Sequence, residues 1–222
     1  MELDLGGGQV TQPERSQLGL HQGRGTVRRA VSRRELIIAA AVQLFAARGY
    51  EATSTAELAR VAGVSEGTIF HHFKTKDGVL VHILTNMMDD YIEAMERHLL
   101  RPRTGLDAIE SLIRFHFAYV DEHSRESLVI FRDIPSHILM PDFPARPLIE
   151  TRTRRFIHFF RDSLERGQQD GTIRDVPVEQ TIFILRGMLV GLTRLKLLGP
   201  IEVPDLCDEL IDFCRRSLAK AC

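Results

Sequence analysis

This sequence predicts an all-α protein, and three observations carry the prediction. Apolar residues recur three and four positions apart, from Leu36, Ile37, Ala40, Ala41, Leu44 and Phe45 near one end to Leu206, Leu210, Phe213 and Leu218 near the other. Serines precede such runs with an acid three positions later, as at Ser32/Glu35 and Ser54/Glu57, the pattern of a helix N-terminus. No stretch reads as a strand. A chain of 222 residues, 27% of them charged, is long enough for one large or two small domains with a real core.

Residues 1–31 read as a disordered arm. Gly6-Gly7-Gly8 and scattered glutamines leave almost nothing to bury, and the end is basic, with Arg24, Arg28, Arg29, Arg33 and Arg34. Such an arm either adds phosphate and minor-groove contacts or is a solvated tail. Ser32 and Glu35 then predict a first helix over Arg33–Arg48, ended by Gly49. Ser54 caps a second helix, Thr55–Ala62, with Glu57 completing a capping box. Gly63 and Val64 form a tight turn, because glycine takes the left-handed conformation that ends a helix without a Cβ penalty. Ser65 caps a third helix, Glu66–Phe73.

Leu58, Ala59, Val64, Ile69, Phe70 and Phe73 are spaced to form an apolar seam between the second and third helices. Ser65, Gly67, Thr68, His71 and His72 are left to face outward. Small and hydrogen-bonding groups at a helix N-terminus suit a DNA major groove, although an ordinary helical hairpin with a polar face has the same pattern.

Thr75 caps a long helix over 76–100, in which Gly78 is out of place by up to about 1 kcal/mol. Arg101-Pro102-Arg103 breaks the chain, and helices follow over 106–124 and 126–139. Pro141-Asp142-Phe143-Pro144 stops the second of these. Three more helices cover Arg146–Asp170, Val178–Leu198 and 204–221, separated by a connection from Gly171 to Pro177 and by Gly199-Pro200. The expected count is nine.

The segment up to residue 78 resembles the N-terminal DNA-binding domain of the TetR (tetracycline-repressor) family of bacterial transcription regulators. The resemblance is carried by Ile37-Ile38-Ala39-Ala40-Ala41, Leu44-Phe45-Ala46-Ala47-Arg48-Gly49-Tyr50, Thr53-Ser54-Thr55, Leu58-Ala59, Ala62-Gly63-Val64-Ser65, Gly67-Thr68-Ile69-Phe70, His71-His72-Phe73-Lys74 and Lys76-Asp77. It implies a helix-turn-helix DNA-binding domain over 32–75 and a helical ligand-binding and dimerisation domain over 76–222. It also implies that Thr53, Ser54 and Thr55 contact phosphate, and that Ser65, Glu66, Gly67, Thr68 and His71 face the groove. His72 and Lys74 would flank them, and Lys76, at a helix N-terminus, would anchor phosphate as a point charge. Glu66 reads better as a first-turn acid that stabilises its helix, since a carboxylate beside phosphate is repelled unless it accepts from a cytosine amino group. Residues Arg24 to Gly78 hold nine basic and five acidic side chains, against nineteen and twenty-two from Val79 onward, a modest basic excess where DNA would lie.

The Val178–Leu198 segment is apolar nearly all round, which requires cover on two sides. Phe183, Gly187, Val190 and Gly191, with Leu210 and Cys214 of the last helix, are therefore expected at a homodimer interface. The two final helices of this family build such an interface. Met87, Tyr91, His116, Tyr119, Phe131, Phe156 and Phe160 of the middle helices, with Met88 and Phe143 beside them, are candidates for a pocket taking a small apolar or amphipathic effector. The expected function is a homodimeric DNA-binding transcriptional regulator, a repressor released from a pseudo-palindromic operator by that effector. In the alternative, the C-terminal domain binds another protein through Arg152, Arg154, Arg155 and Arg161.

An enzyme is not expected, since no nucleophile elbow, phosphate loop or paired-acid motif occurs. The histidines form no metal-ligand motif, so no cofactor or metal is expected. No secretory leader or membrane-length apolar run is visible, and three cysteines, all near the C-terminus, fit a reducing compartment; a cytoplasmic protein without membrane association is the expectation. Cys207 and Cys214 read as buried packing.

Overall fold

The computed structural model describes residues 31–99, 102–132, 134–200 and 203–220. Among them are nine α-helices: α1 (Arg33–Arg48), α2 (Thr55–Ala62), α3 (Glu66–Phe73), α4 (Lys76–His98), α5 (Gly105–Glu122), α6 (Ser124–Arg132), α7 (Arg146–Asp170), α8 (Val178–Leu198) and α9 (Leu206–Leu218), with one 3-10 turn at Ser136–Leu139. The described residues contain no strand, only an isolated bridge between Ile173 and Ala219. The arm expected over residues 1–31 lies outside the described residues except for Val31.

The helix starts follow their caps. Ser32 accepts from the Glu35 amide while the Glu35 carboxylate accepts from the Ser32 amide, a complete capping box. Ser54 caps α2 through the Glu57 amide, but no box closes there: the Glu57 carboxylate takes the Arg48 guanidinium instead. Gly63 ends α2 in the left-handed region at φ 66°, ψ 34°.

Gly78, which looked costly inside a first turn, has a steric reason. A Cβ there would lie 2.0 Å from the Phe73 carbonyl oxygen, so only glycine lets α4 leave α3 this tightly. Gly105 and Gly167 mark a second close approach, where α5 crosses α7. A Cβ on Gly105 would stand 2.0 Å from the Gly167 amide nitrogen.

Two apolar clusters form the core. The first gathers Ile37, Ala41, Phe45, Leu58, Ile69 and Phe73 with Val79 to Leu84 of α4, and takes in Val129, Ile138 and Ile149. The second gathers Tyr91 and Met95 of α4 with α5, the middle of α7, and the inner faces of α8 and α9. The helix α4 thus has its first half in one cluster and its second half in the other.

Three expectations are corrected here. The helix expected over 126–139 is broken, because Pro135 has no N–H to offer the Phe131 carbonyl one turn back. That carbonyl accepts from the Arg194 guanidinium at 2.8 Å instead. Leu36 and Phe70, expected in buried seams, are exposed, Phe70 to 64%. Leu210 and Cys214 are buried inside the chain's own core.

Candidate DNA interface and apolar cavity

The outer face of α3 is laid out by its short length. Ile69 and Phe73 are the residues it buries against its neighbours. Gly67, Phe70, His71 and Lys74 then fall at i, i+3, i+4 and i+7, one face, and all four are exposed. Ser65 caps the helix by accepting from the Thr68 amide at 3.2 Å, and its hydroxyl pairs with the Thr68 hydroxyl at 2.9 Å. Lys74 is held at φ 67°, ψ −44°, an unusual conformation for a side-chain-bearing residue, while the Thr75 amide donates to the Phe73 carbonyl across it. Its ammonium lies 5.8 Å from the Phe70 ring centre.

Ser54, Ser65, Glu66, Gly67, His71, His72 and Lys74 are exposed along α2 and α3. Three expected contacts are otherwise engaged. Thr53 is 1% exposed and donates its hydroxyl to the Gly49 carbonyl at 2.9 Å, so it closes the loop after α1. The Thr55 hydroxyl donates to the Glu66 carboxylate at 2.9 Å, which ties α2 to the first turn of α3 and gives Glu66 a partner within the protein. Lys76 donates to the carbonyls of Tyr50 at 2.9 Å and Thr53 at 3.0 Å, and sits 4.0 Å from the Tyr50 ring centre. Two of its three N–H groups therefore serve the protein.

Phe70 was missed as an outward residue because its hydrophobicity placed it in the seam. Its i+3 spacing from Gly67 was the signal that could have found it. An apolar ring on this face suits contact with a thymine methyl.

The start of α4 is bound to the loop after α1 a second time. The Tyr50 hydroxyl donates to the Asp77 carboxylate, which also meets His137 Nε2 at 3.0 Å. Burial and the neighbouring Asp77 carboxylate both raise the Tyr50 phenol above its ordinary pKa. At the far side, Arg132 at the end of α6 donates to the Ala46 carbonyl at 3.0 Å, at the end of α1.

A cavity of about 750 Å³ opens between α4, α5, α6, α7 and α8. Of the residues considered for a pocket, Met87, Met88, Tyr91, His116, Tyr119, Phe131 and Phe156 line it. Phe160 does not; it is 1% exposed and packs in the second core cluster. Phe143 packs against the first core cluster. The interior is apolar, but the rim carries Arg146, Arg154 and Arg186 against one carboxylate, Glu150, facts that residue spacing alone did not reveal. Arg146 meets Glu150 at 2.8 Å and Arg154 meets it at 3.9 Å. Arg186 has no hydrogen-bond or ion-pair partner among the described residues.

The buried polar groups of the cavity form a chain. The Tyr91 hydroxyl lies 3.2 Å from His116 Nδ1, and His116 Nε2 lies 2.8 Å from the Thr193 hydroxyl. Burial depresses the imidazole to about 4, so it is neutral at physiological pH, and raises the Tyr91 phenol. Tyr119 is pushed up to about 12, first by burial and then by Asp90.

The four arginines considered as a docking face are all paired within the protein: Arg152 with Asp89, Arg155 with Glu96, Arg154 with Glu150 and Arg161 with Glu179. Cys214 is buried, which pushes its thiol up to about 11 and leaves it unreactive. No helix among the described residues is long and apolar enough to cross a membrane.

Residues 37–83 match the family described as "Bacterial regulatory proteins, tetR family", and residues 102–218 match "Tetracyclin repressor-like, C-terminal domain". Among curated relatives, the HTH-type transcriptional repressor KstR2 of Mycolicibacterium smegmatis is 28% identical over 156 residues, spanning 70% of this chain and 75% of that protein. Two solved structures share the fold. FadR from Bacillus subtilis, in complex with stearoyl-CoA, superposes with a TM-score of 0.69 at 22% identity, covering 80% of this chain and 95% of that one. AibR, in complex with isovaleryl coenzyme A and operator DNA, does so with a TM-score of 0.66 at 22% identity, covering 85% and 98%. With both its DNA-binding and its C-terminal segments matched, the chain belongs to the TetR family of bacterial transcription regulators: it is a DNA-binding helix-turn-helix regulator and not an enzyme.

Proposed function

We propose that the protein is a homodimeric transcriptional repressor whose operator binding is released by an acyl-CoA held in the cavity. The observation that carries the effector class is the polarity of that cavity: an apolar interior behind a rim of three arginines and one glutamate. Such a wall suits a ligand with an apolar tail and several negative charges. The half-buried Arg186, without a partner among the described residues, is the cation most in need of an anion. FadR and AibR, similar in fold, are described with acyl-CoA ligands, which supports the same class here.

Release needs a mechanical route, and α4 supplies one. Its stretch from Leu84 to Ile92 lines the cavity through Leu84, Met87, Met88, Tyr91 and Ile92, while its first turn is tied to the loop after α1 by Lys76 and Asp77. An acyl-CoA that binds better to a splayed arrangement of the two α4 helices would shift the dimer away from the spacing needed for DNA, about 34 Å between recognition helices.

The dimer would form on α8. Phe183, Ile184 and Leu195 of α8 are exposed, the first to 64% and the last to 62%, and so is Phe213 of α9. A Cβ on Gly187 or Gly191 would meet nothing within 4 Å, which leaves room for a partner helix at close range. An apolar face of this kind is covered in a stable protein. The exposed Phe183, Gly187 and Gly191, joined by Ile184, Leu195 and Phe213, make up the proposed interface; Leu210 and Cys214 support it from behind, and Val190 also lines the cavity.

The groove-facing set is Ser65, Gly67, Phe70 and His71, with Ser54, His72 and Lys74 toward the phosphates. The test is to select genomic fragments bound by the purified protein and titrate the best fragment with hexanoyl-, dodecanoyl- and hexadecanoyl-CoA. A shared inverted-repeat sequence and release by at least one of the three are expected. Fragments without a shared sequence, or DNA binding indifferent to all three at saturating cavity occupancy, would refute the reading.

A further inference from the structure

Inside the apolar part of the cavity stands one connected polar unit, and it has two possible hydrogen-bond directions. Tyr91 on α4, His116 on α5 and Thr193 on α8 are buried, at 9%, 5% and 0% exposure. The neutral imidazole has one N–H and one lone pair, whereas each hydroxyl can donate or accept. In the first arrangement Tyr91 donates to Nδ1, and the Nε2 proton goes to the Thr193 oxygen. In the second, Thr193 donates to Nε2, the proton sits on Nδ1 and is donated to the Tyr91 oxygen. The Tyr91 O–H is then free to turn into the cavity. Both arrangements satisfy the two heavy-atom distances, 3.2 and 2.8 Å.

Which one holds depends on the contents of the cavity. A phenol O–H turned into the cavity with no acceptor in reach loses a hydrogen bond, so the first arrangement is favoured when no acceptor is present. An acceptor oxygen within reach reverses the preference. An acyl chain has no oxygen of its own; the acceptor at the junction between the apolar tail and the charged carrier is the thioester carbonyl. The same cavity wall holds both kinds of group, Tyr91 and His116 among apolar side chains and the cations Arg146, Arg154 and Arg186.

Resting on the acyl-CoA reading of the cavity, we propose that the Tyr91 hydroxyl is the donor to the thioester carbonyl of the effector, and that this donation turns His116 to its Nδ1–H tautomer and changes the bond it makes to Thr193 on α8. The carbonyl is thereby read on α4 and its presence is registered on the proposed dimer helix.

The experiment compares two ligands that differ by that oxygen. The tightest binder among hexanoyl-, dodecanoyl- and hexadecanoyl-CoA is set against its S-alkyl thioether analogue, by titration calorimetry on the native protein and on Tyr91→Phe. The native protein is expected to prefer the thioester about tenfold, the size of one hydrogen bond. Tyr91→Phe should bind the thioether as the native protein does and the thioester no better. Because the thioether reports on packing alone, a merely structural role for Tyr91 would weaken both ligands together. The ring-nitrogen shifts of ¹⁵N-labelled His116 should move on adding the thioester and stay in place with the thioether. Equal affinity of the native protein for the two ligands, or a preference that survives in Tyr91→Phe, overturns the proposal while leaving the acyl-CoA site standing. Failure of all the CoA ligands to bind overturns both.

Discussion

Replacing Lys76 by methionine separates two roles that one lysine at a helix start could have. Methionine keeps most of the apolar stem and removes the ammonium. What is lost is a pair of hydrogen bonds, to the Tyr50 and Thr53 carbonyls, and a contact with the Tyr50 ring at 4.0 Å. Hydrogen bonds from a charged donor contribute about 1.5–3 kcal/mol each and a cation over a ring about 0.5–1 kcal/mol. The lower ends come to about 3.5 kcal/mol together; Lys76 is only half-buried and water can replace it at the carbonyls, so the net loss should be smaller, about 2–3 kcal/mol. With a urea slope of roughly 2 kcal/mol/M, the unfolding midpoint should fall by about 1 M at unchanged slope. Operator binding adds the second reading. A lysine that anchors a phosphate contributes about 0.9 to the slope of log affinity against log salt. Lys76→Met should leave that slope unchanged, whereas Lys74→Ala should lower it by about 0.9 per half-site. Unchanged stability with a reduced salt slope in Lys76→Met would refute the assignment and restore Lys76 as a phosphate anchor.

Three further outcomes are expected. Gly78→Ala puts a carbon 2.0 Å from the Phe73 carbonyl oxygen, so the α3–α4 junction must move; thermal unfolding should show a loss of about 1–3 kcal/mol despite alanine's better helix propensity, and a gain would contradict the steric reason. His116 is held near pKa 4 from an ordinary 6.5, so the unfolded chain takes up its proton first as pH falls. Its contribution is full above about 6.5 and is lost between there and about 4, by up to roughly 3 kcal/mol; His116→Gln should flatten that part of the stability–pH curve, and an unchanged curve would refute it. Phe183→Asp with Leu195→Asp should give a monomer in sedimentation and lower operator affinity at least about a hundredfold, because the two half-sites no longer bind together; a double variant that stays dimeric places the interface elsewhere.

The residues that made the fold legible were caps and stops. Ser32, Ser54, Ser65 and Thr75 each accept from an amide three residues on, and Gly63 and Gly171 each take a left-handed conformation, so helix ends that depend on local chemistry could be read from neighbouring residues. The apolar lining at Met87, Tyr91, His116, Tyr119, Phe131 and Phe156 was legible for a similar reason: helical spacing places these side chains on inner faces. What stayed hidden depends on partners distant in sequence. Lys76 reads as a free cation until the Tyr50 and Thr53 carbonyls come around to it. Thr53 and Thr55 read as phosphate contacts until Gly49 and Glu66 take their hydroxyls. Leu210 and Cys214 sit on an apolar flank that periodicity cannot divide between the chain's own core and a second chain. The packing puts these two inside and leaves Phe213 outside. Pro135 was the visible signal that the 126–139 segment would break, and the missed inference was that Arg194 would take the carbonyl it leaves free.

The link between cavity and DNA is tested most directly by fluorescence anisotropy of the selected operator, titrated with the tightest-binding acyl-CoA, for the native protein and for Met88→Trp. Met88 lines the cavity on α4, well away from the exposed face of α3, and tryptophan there fills space the acyl chain would use. The expected result is that both proteins bind the operator equally and that only the native protein releases it on adding the acyl-CoA. Release from both at the same concentration, or acyl-CoA binding to the native protein with no change in its operator affinity, would contradict the coupling.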